Sequence, residues 1–126
     1  MAIMMVFELN EKVALDQLRA ALIDSGAVPF DEETFNFKVS KMHCVLNNVT
    51  EPQEVGFSEF NFSSWMVAFR VVFHYVNANF SECSLELHNF IERISLIKDS
   101  RFFLTFQNET PCAVKNGSGF FILDKF

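Results

Sequence analysis

Few residues in this chain have the types and spacing that chemistry needs. His43 and Cys44 are neighbours. A thiol nucleophile needs its imidazole base within hydrogen-bond reach. Adjacent side chains point to opposite faces of a strand, and residues one apart on a helix do not face each other. The pair therefore reads as structural. Cys83 and His88 are five apart, which sets them on different faces of one helix. Arg70 and His74 are four apart and share a face if their segment is helical. They would then orient a phosphate or carboxylate, although such a pair is more often the solvent-facing strip of a buried helix. Glu109 falls in an expected turn, either as a contact for a basic partner or as an acceptor of local N–H groups. Arg70, His74 and Glu109 are thus the candidate ligand or partner contacts.

Other chemistries lack their residues. Three histidines spread over the chain give no metal signature, and the three cysteines, Cys44, Cys83 and Cys112, form no CxxC pair. Gly117-Ser118-Gly119 is too short for a phosphate loop and no helix is expected after it. No Gly-x-Ser-x-Gly or His-Glu-x-x-His stretch occurs. The expectation is a protein that binds rather than catalyses, with no metal and no cofactor.

Charge gives the firmest functional signal. The net charge is −6, and its distribution matters more than its size. Residues 1–62 hold ten acids against four bases, whereas residues 63–126 hold six of each. An acidic surface disfavours nucleic acid and anionic membranes as ligands and attracts basic proteins. Asp31, Glu32, Glu33, Glu51, Glu54 and Glu59 are the candidate partner-binding residues.

Odd, widely spaced cysteines suit buried thiols in a reducing compartment. The opening residues lack a basic leader, and Glu8 interrupts their apolar run. A cytoplasmic location is expected. Five Asn-x-Ser/Thr triplets, beginning at Asn48, Asn61, Asn79, Asn108 and Asn116, then read as turn and cap residues.

The elements that would position these groups follow from periodicity. With 126 residues, half of them apolar and 17 of them Phe, the chain has material for one well-filled domain over 1–126. Residues 2–8 suit an edge strand. Asn10 is placed as the N-cap of a helix over 11–25, which Gly26 ends. Residues 34–40 alternate as a half-buried strand, and the apolar parity shifts after Lys41, as at a bulge. Residues 42–49 continue as strand or turn into a short helix; the sequence does not separate these. Pro52 argues for a loop over 47–53. Residues 55–62 alternate as a strand. Residues 65–76 are almost wholly apolar. Polar positions at 63, 70, 74, 77 and 81 make one helical stripe, which favours a buried helix over the strand that the valines suggest. Helix 81–98 presents Cys83, Leu87, Phe90, Ile91, Ile94 and Ile97 inward and leaves Glu82, Glu86, Glu92, Arg93 and Lys98 outside. Strands over 102–106, 112–115 and 120–123 close a meander, with Asn116-Gly117 at its hairpin. The fold class is α+β: a mainly antiparallel sheet, about three helices on one face, and a C-terminal β-meander.

The segment Phe90-Ile91-Glu92-Arg93-Ile94, the strand 102–109 ending in Gln107-Asn108-Glu109, then Ala113-Val114-Lys115 and Gly117, resembles small acidic immunity proteins of bacterial polymorphic toxin systems. The resemblance covers about residues 80–123. It implies a cytoplasmic, non-enzymatic monomer or weak dimer that occludes a cognate toxin or effector, often a basic nuclease. A secretion chaperone or adaptor, and a small ligand-binding domain or enzyme built on Arg70 and His74, are the alternatives.

Overall fold

A computed structural model describes residues 3–54, 65–107 and 109–126, with the backbone alone for 51–54. Among these residues the chain forms eight strands and two helices: β1 (Ile3–Leu9), α1 (Leu15–Asp24), β2 (Ala27–Pro29), β3 (Thr34–Phe37), β4 (His43–Glu54), β5 (Met66–Tyr75), α2 (Phe80–Ser95), β6 (Phe102–Phe106), β7 (Thr110–Asn116) and β8 (Gly119–Ile122). The strands make one antiparallel sheet in the order β2-β3-β4-β5-β1-β6-β7-β8.

The expectation of about three helices on the sheet is therefore corrected to two. The third was residues 65–76, which form β5. Steps of four are also multiples of two, so Arg70 and His74 share a face of a strand as readily as of a helix. Val67, Val71, Phe73 and Tyr75 are buried beneath the helices. Ala68 and Val72 between them are also apolar, which hides the alternation. With strands on both sides, the β-branched residues pack as a pleated surface favours.

β1 is not an edge strand. It pairs with β5 on one side and β6 on the other. Its odd positions Met5, Phe7 and Leu9 are almost fully buried. Phe7 meets the ring of Phe90 on α2 edge-on at 5.0 Å and that of Phe102 at 5.2 Å. Phe73 reaches the same Phe90 at 5.4 Å. Three strands and one helix thus converge on one aromatic cluster, where each pair contributes about 0.5–1.5 kcal/mol beyond area burial.

Several boundaries moved for local reasons. α1 begins at Leu15, because Asn10 is engaged elsewhere. Its Nδ2 donates to the Asp99 carbonyl and its Oδ1 accepts from the Arg101 N–H, both at 3.0 Å. The first turn is held instead by Gln17, whose Oε1 accepts the Ala14 N–H at 2.9 Å. The expected strand 34–40 stops at Phe37, and the parity change near Lys41 is a hairpin turn with Lys41 at φ 65°. Residues 43–54 resolve as strand. β4 passes through Pro52, but its pairing with β5 shifts register between Asn48 and Gln53, the irregularity a proline demands. The strand expected over 55–62 lies outside the described residues.

α2 buries Cys83, Leu87, Phe90, Ile91 and Ile94 as its stripe requires. It also buries Glu86, placed outside by the sequence reading, at 7 % exposure. The Ser40 N–H donates to Glu86 Oε1 at 3.2 Å, which ties the helix to the β3–β4 turn. The other carboxylate oxygen lies against Gly26. A Cβ on Gly26 would sit 2.6 Å from it, and the backbone there is at φ +114°. Gly26→Ala therefore combines backbone strain with a clash against a buried carboxylate. We expect a loss of about 1–3 kcal/mol in urea denaturation; an unchanged midpoint would contradict this packing.

Candidate functional site

The acidic residues become meaningful through strand direction. β2 and β3 form a hairpin whose tip is residues 30–33. The Leu46 N–H donates to the Glu33 carbonyl at 2.6 Å, so the tip lies against the first third of β4. β4 runs on past it towards Glu54. Glu51 and Glu54 thus sit on the strand that continues beyond the tip, with side chains outside the description. Glu59 lies outside the described residues.

The tip is structured. Asp31 Oδ1 accepts the N–H groups of Glu33 and Thr34, both at 2.9 Å. The Glu33 amide first, then Thr34, hold the Asp31 carboxyl below the usual carboxylate range, and His43 adds a smaller electrostatic pull. Arg19 donates from Nη1 to the Glu32 carbonyl at 2.6 Å while its guanidinium lies 5.0 Å above the Phe35 ring. Asp31, Glu32 and Glu33 are all exposed. Beside them Phe30 is 77 % exposed, though its N–H is bonded to Thr34.

Among the described residues, ion pairs engage Glu8 and Asp24 rather than the tip. Arg70 meets Glu8 at 2.7 Å, and Arg93 lies 3.9 Å from Asp24 in the open. In the second half of the chain, Lys115 Nζ donates to the carbonyls of Ser95 and Ile97 and to Ser100 Oγ, just past the C-terminus of α2. A cation there complements the helix dipole. Lys38 and Lys41 occupy the turn at the other end of β3. The hairpin therefore carries carboxylates at one end and ammonium groups at the other.

The sheet face away from the helices holds the remaining candidates. Arg70 and His74 both project there, separated by Val72. Arg70 is committed to Glu8, its direct partner on β1. His74 stands opposite His43 on β4, their rings 6.1 Å apart and 29° from parallel. On the next strand His43 Nδ1 bonds Asn36 Oδ1 at 2.9 Å. Glu109 is exposed in the β6–β7 turn, its N–H bonded to the Phe106 carbonyl at 2.9 Å. The structure thus separates Arg70, His74 and Glu109 and instead joins His74 to His43, a pairing that only strand register reveals. Further across the same face, Phe103 and Val114 are buried with Trp65 against them.

The three cysteines are all buried. Cys44 points into the core while neighbouring His43 faces the open side. Cys83 is fully buried, and His88 stacks on Phe126 with ring centres 3.9 Å apart. All three thiols are free. Burial pushes Cys44 up to about 12, and burial followed by Asp124 pushes Cys112 up to about 11. No three of His, Cys, Asp and Glu converge as a metal cluster among the described residues.

No protein-family model matches this chain, and neither the curated proteins nor the solved structures give a match.

The raised thiols fix an alkaline signature. The folded state keeps protons that the unfolded thiols release above pH 9, so this stability is complete below pH 9 and is lost as pH climbs towards 11–12. Tyr75, also raised by burial, acts in the same direction, and Lys115, lowered by burial, acts against it. We expect the unfolding free energy to fall between pH 9 and 11, with native thiols inert to an aromatic disulfide reagent below that range. Rapid labelling at pH 8 would show the cysteines to be accessible after all.

Proposed function

We propose that this protein is a toxin-neutralising immunity protein that docks on a basic protein toxin through the β2–β3 tip. The observation that carries the reading is the composition of that tip: one strongly exposed aromatic, Phe30, beside the exposed carboxylates of Asp31, Glu32 and Glu33. Interface energy concentrates in a few aromatic and charged anchors. Carboxylates around such an anchor steer a cationic partner and raise its association rate.

Order at the tip matters for affinity. Asp31 is fixed by two backbone N–H groups, and Arg19 clamps the Glu32 carbonyl. A preformed loop loses less freedom on binding than a floppy one. With a screening length of about 8 Å at physiological ionic strength, carboxylates grouped within one hairpin act together on an approaching charge. Occlusion of the toxin's own site would then require no chemistry from this chain.

Two measurements test the reading. The proposal requires a neighbouring reading frame whose product arrests growth when expressed alone, and co-expression with this protein should relieve that arrest; persistent arrest, or no toxic neighbour, would remove the immunity role. With that toxin, Asp31→Lys, Glu32→Lys and Glu33→Lys together should lower the association rate at low salt about tenfold or more and flatten its salt dependence. Phe30→Ala should act mainly on dissociation, at a cost of about 2 kcal/mol. An unchanged on-rate in the triple variant would move the docking surface elsewhere.

A further inference from the structure

We propose that His43 and His74 form a two-imidazole site for a divalent transition metal of the zinc, copper and nickel group, on the sheet face away from the helices. Residues directly opposite on neighbouring strands project to the same side with Cβ atoms about 4.5–5.5 Å apart, and the β4–β5 register makes these two such a pair. Their ring centres lie 6.1 Å apart. A metal–nitrogen bond of about 2.0–2.1 Å sets the centre of a ligating imidazole roughly 3 Å from the ion. The spacing matches one shared ion, but the rings now lie 29° from parallel as a stacked pair, so ligation requires both imidazoles to rotate about their side-chain torsions until their nitrogen lone pairs converge.

The second observation is the state of His43. Asn36 Oδ1 can only accept, so Nδ1 of His43 carries the proton and donates. That leaves the lone pair on Nε2, the nitrogen further from the backbone. Metal-ligating histidines are held in this way, with the non-ligating N–H bonded to a fixed acceptor that sets the tautomer and the ring orientation. Asn36 faces His43 directly across the β3–β4 pair. Both histidines are partly exposed, so an ion reaches them from solvent. The flanking positions in the next row are Val45 and Val72, which offer no competing donor.

Two protein ligands leave the remaining coordination positions to water. Such a site binds more weakly than a closed four-ligand centre and exchanges freely. Imidazole selects for zinc, copper and nickel over magnesium and calcium, which need oxygen ligands.

The test uses the full chain with zinc chloride alone, followed by imidazole carbon–proton NMR and by calorimetry. Zinc should shift the ring signals of His43 and His74 and leave His88 in place; magnesium should shift none. His43→Gln and His74→Gln should each weaken binding more than tenfold, and Asn36→Leu about tenfold by freeing the His43 tautomer. Zinc signals confined to His88, or undiminished affinity in the double His variant, would overturn the site. The NMR measurement on the unaltered chain stands even if a variant folds poorly.

Discussion

The fold depends on β1 being paired on both sides. β2, β3, β4 and β5 form one run of adjacent antiparallel strands, and β6, β7 and β8 form another. β1 lies between the runs and bonds to each. Its partners are far away in sequence: Glu8 reaches Arg70 across 62 positions, and Asn10 reaches Arg101 across 91. Contacts of that separation carry a high closure entropy and form late unless hydrophobic burial rewards them. Met5, Phe7 and Leu9 supply the reward on the helix side, with Phe90 of α2 packed over the join. Without β1 two meanders would expose their inner edges, which are templates for aggregation.

This architecture also separates charge. The acid excess of the first half goes with β1, α1 and strands β2 to β4, while the balanced second half builds β5, α2 and the β6–β8 run. Glu8 on the joining strand is neutralised by Arg70 from β5, at 12 % side-chain exposure for the carboxylate. A charge placed that near the middle of the sheet needs its partner. Among the described residues, Asp31, Glu32 and Glu33 make no ion pair and stand exposed at the hairpin tip, where solvent carries the cost of their charge.

Local signals in the sequence were reliable where one segment determines its own structure. The α2 stripe and the Gly26 stop depend on residues within a few positions, and both are present. The last hairpin also forms, but Asn116 pairs with Gly119, so Gly117 and Ser118 make the turn and the positive φ falls at Gly119 rather than at Asn116-Gly117. Where the neighbours decide, the sequence misled. Residues 66–75 have a helical polar stripe and a strand's valines, and only flanking strands settle the matter. Asn10 and Asn79 have the composition of helix caps, yet their side chains bond Asp99 and Ser40 instead. Glu86 looked solvated because its acceptor's donor, Ser40, lies 46 positions away. The tip could be read as acidic from three consecutive acids, but the exposure of Phe30 could not. The His43–His74 pair was illegible for the same reason as β5: histidines 31 positions apart meet only through register.

The tip and the histidine pair are not independent. Asp31 belongs to the loop that leads into β3, and Asn36 on β3 holds His43. His43 adds only the smallest of the influences on the Asp31 carboxyl, behind the local hydrogen bonds from Glu33 and Thr34. Positive charge gathered at the histidines, from protons or from an ion, would offset part of the negative potential that a basic partner senses at the tip. Linkage makes this reciprocal: a cationic partner docked on the carboxylates would weaken the hold of the histidines on an ion by the same factor. β3, only four residues long, leads out of the tip and carries Asn36, the acceptor that holds His43 on the neighbouring strand.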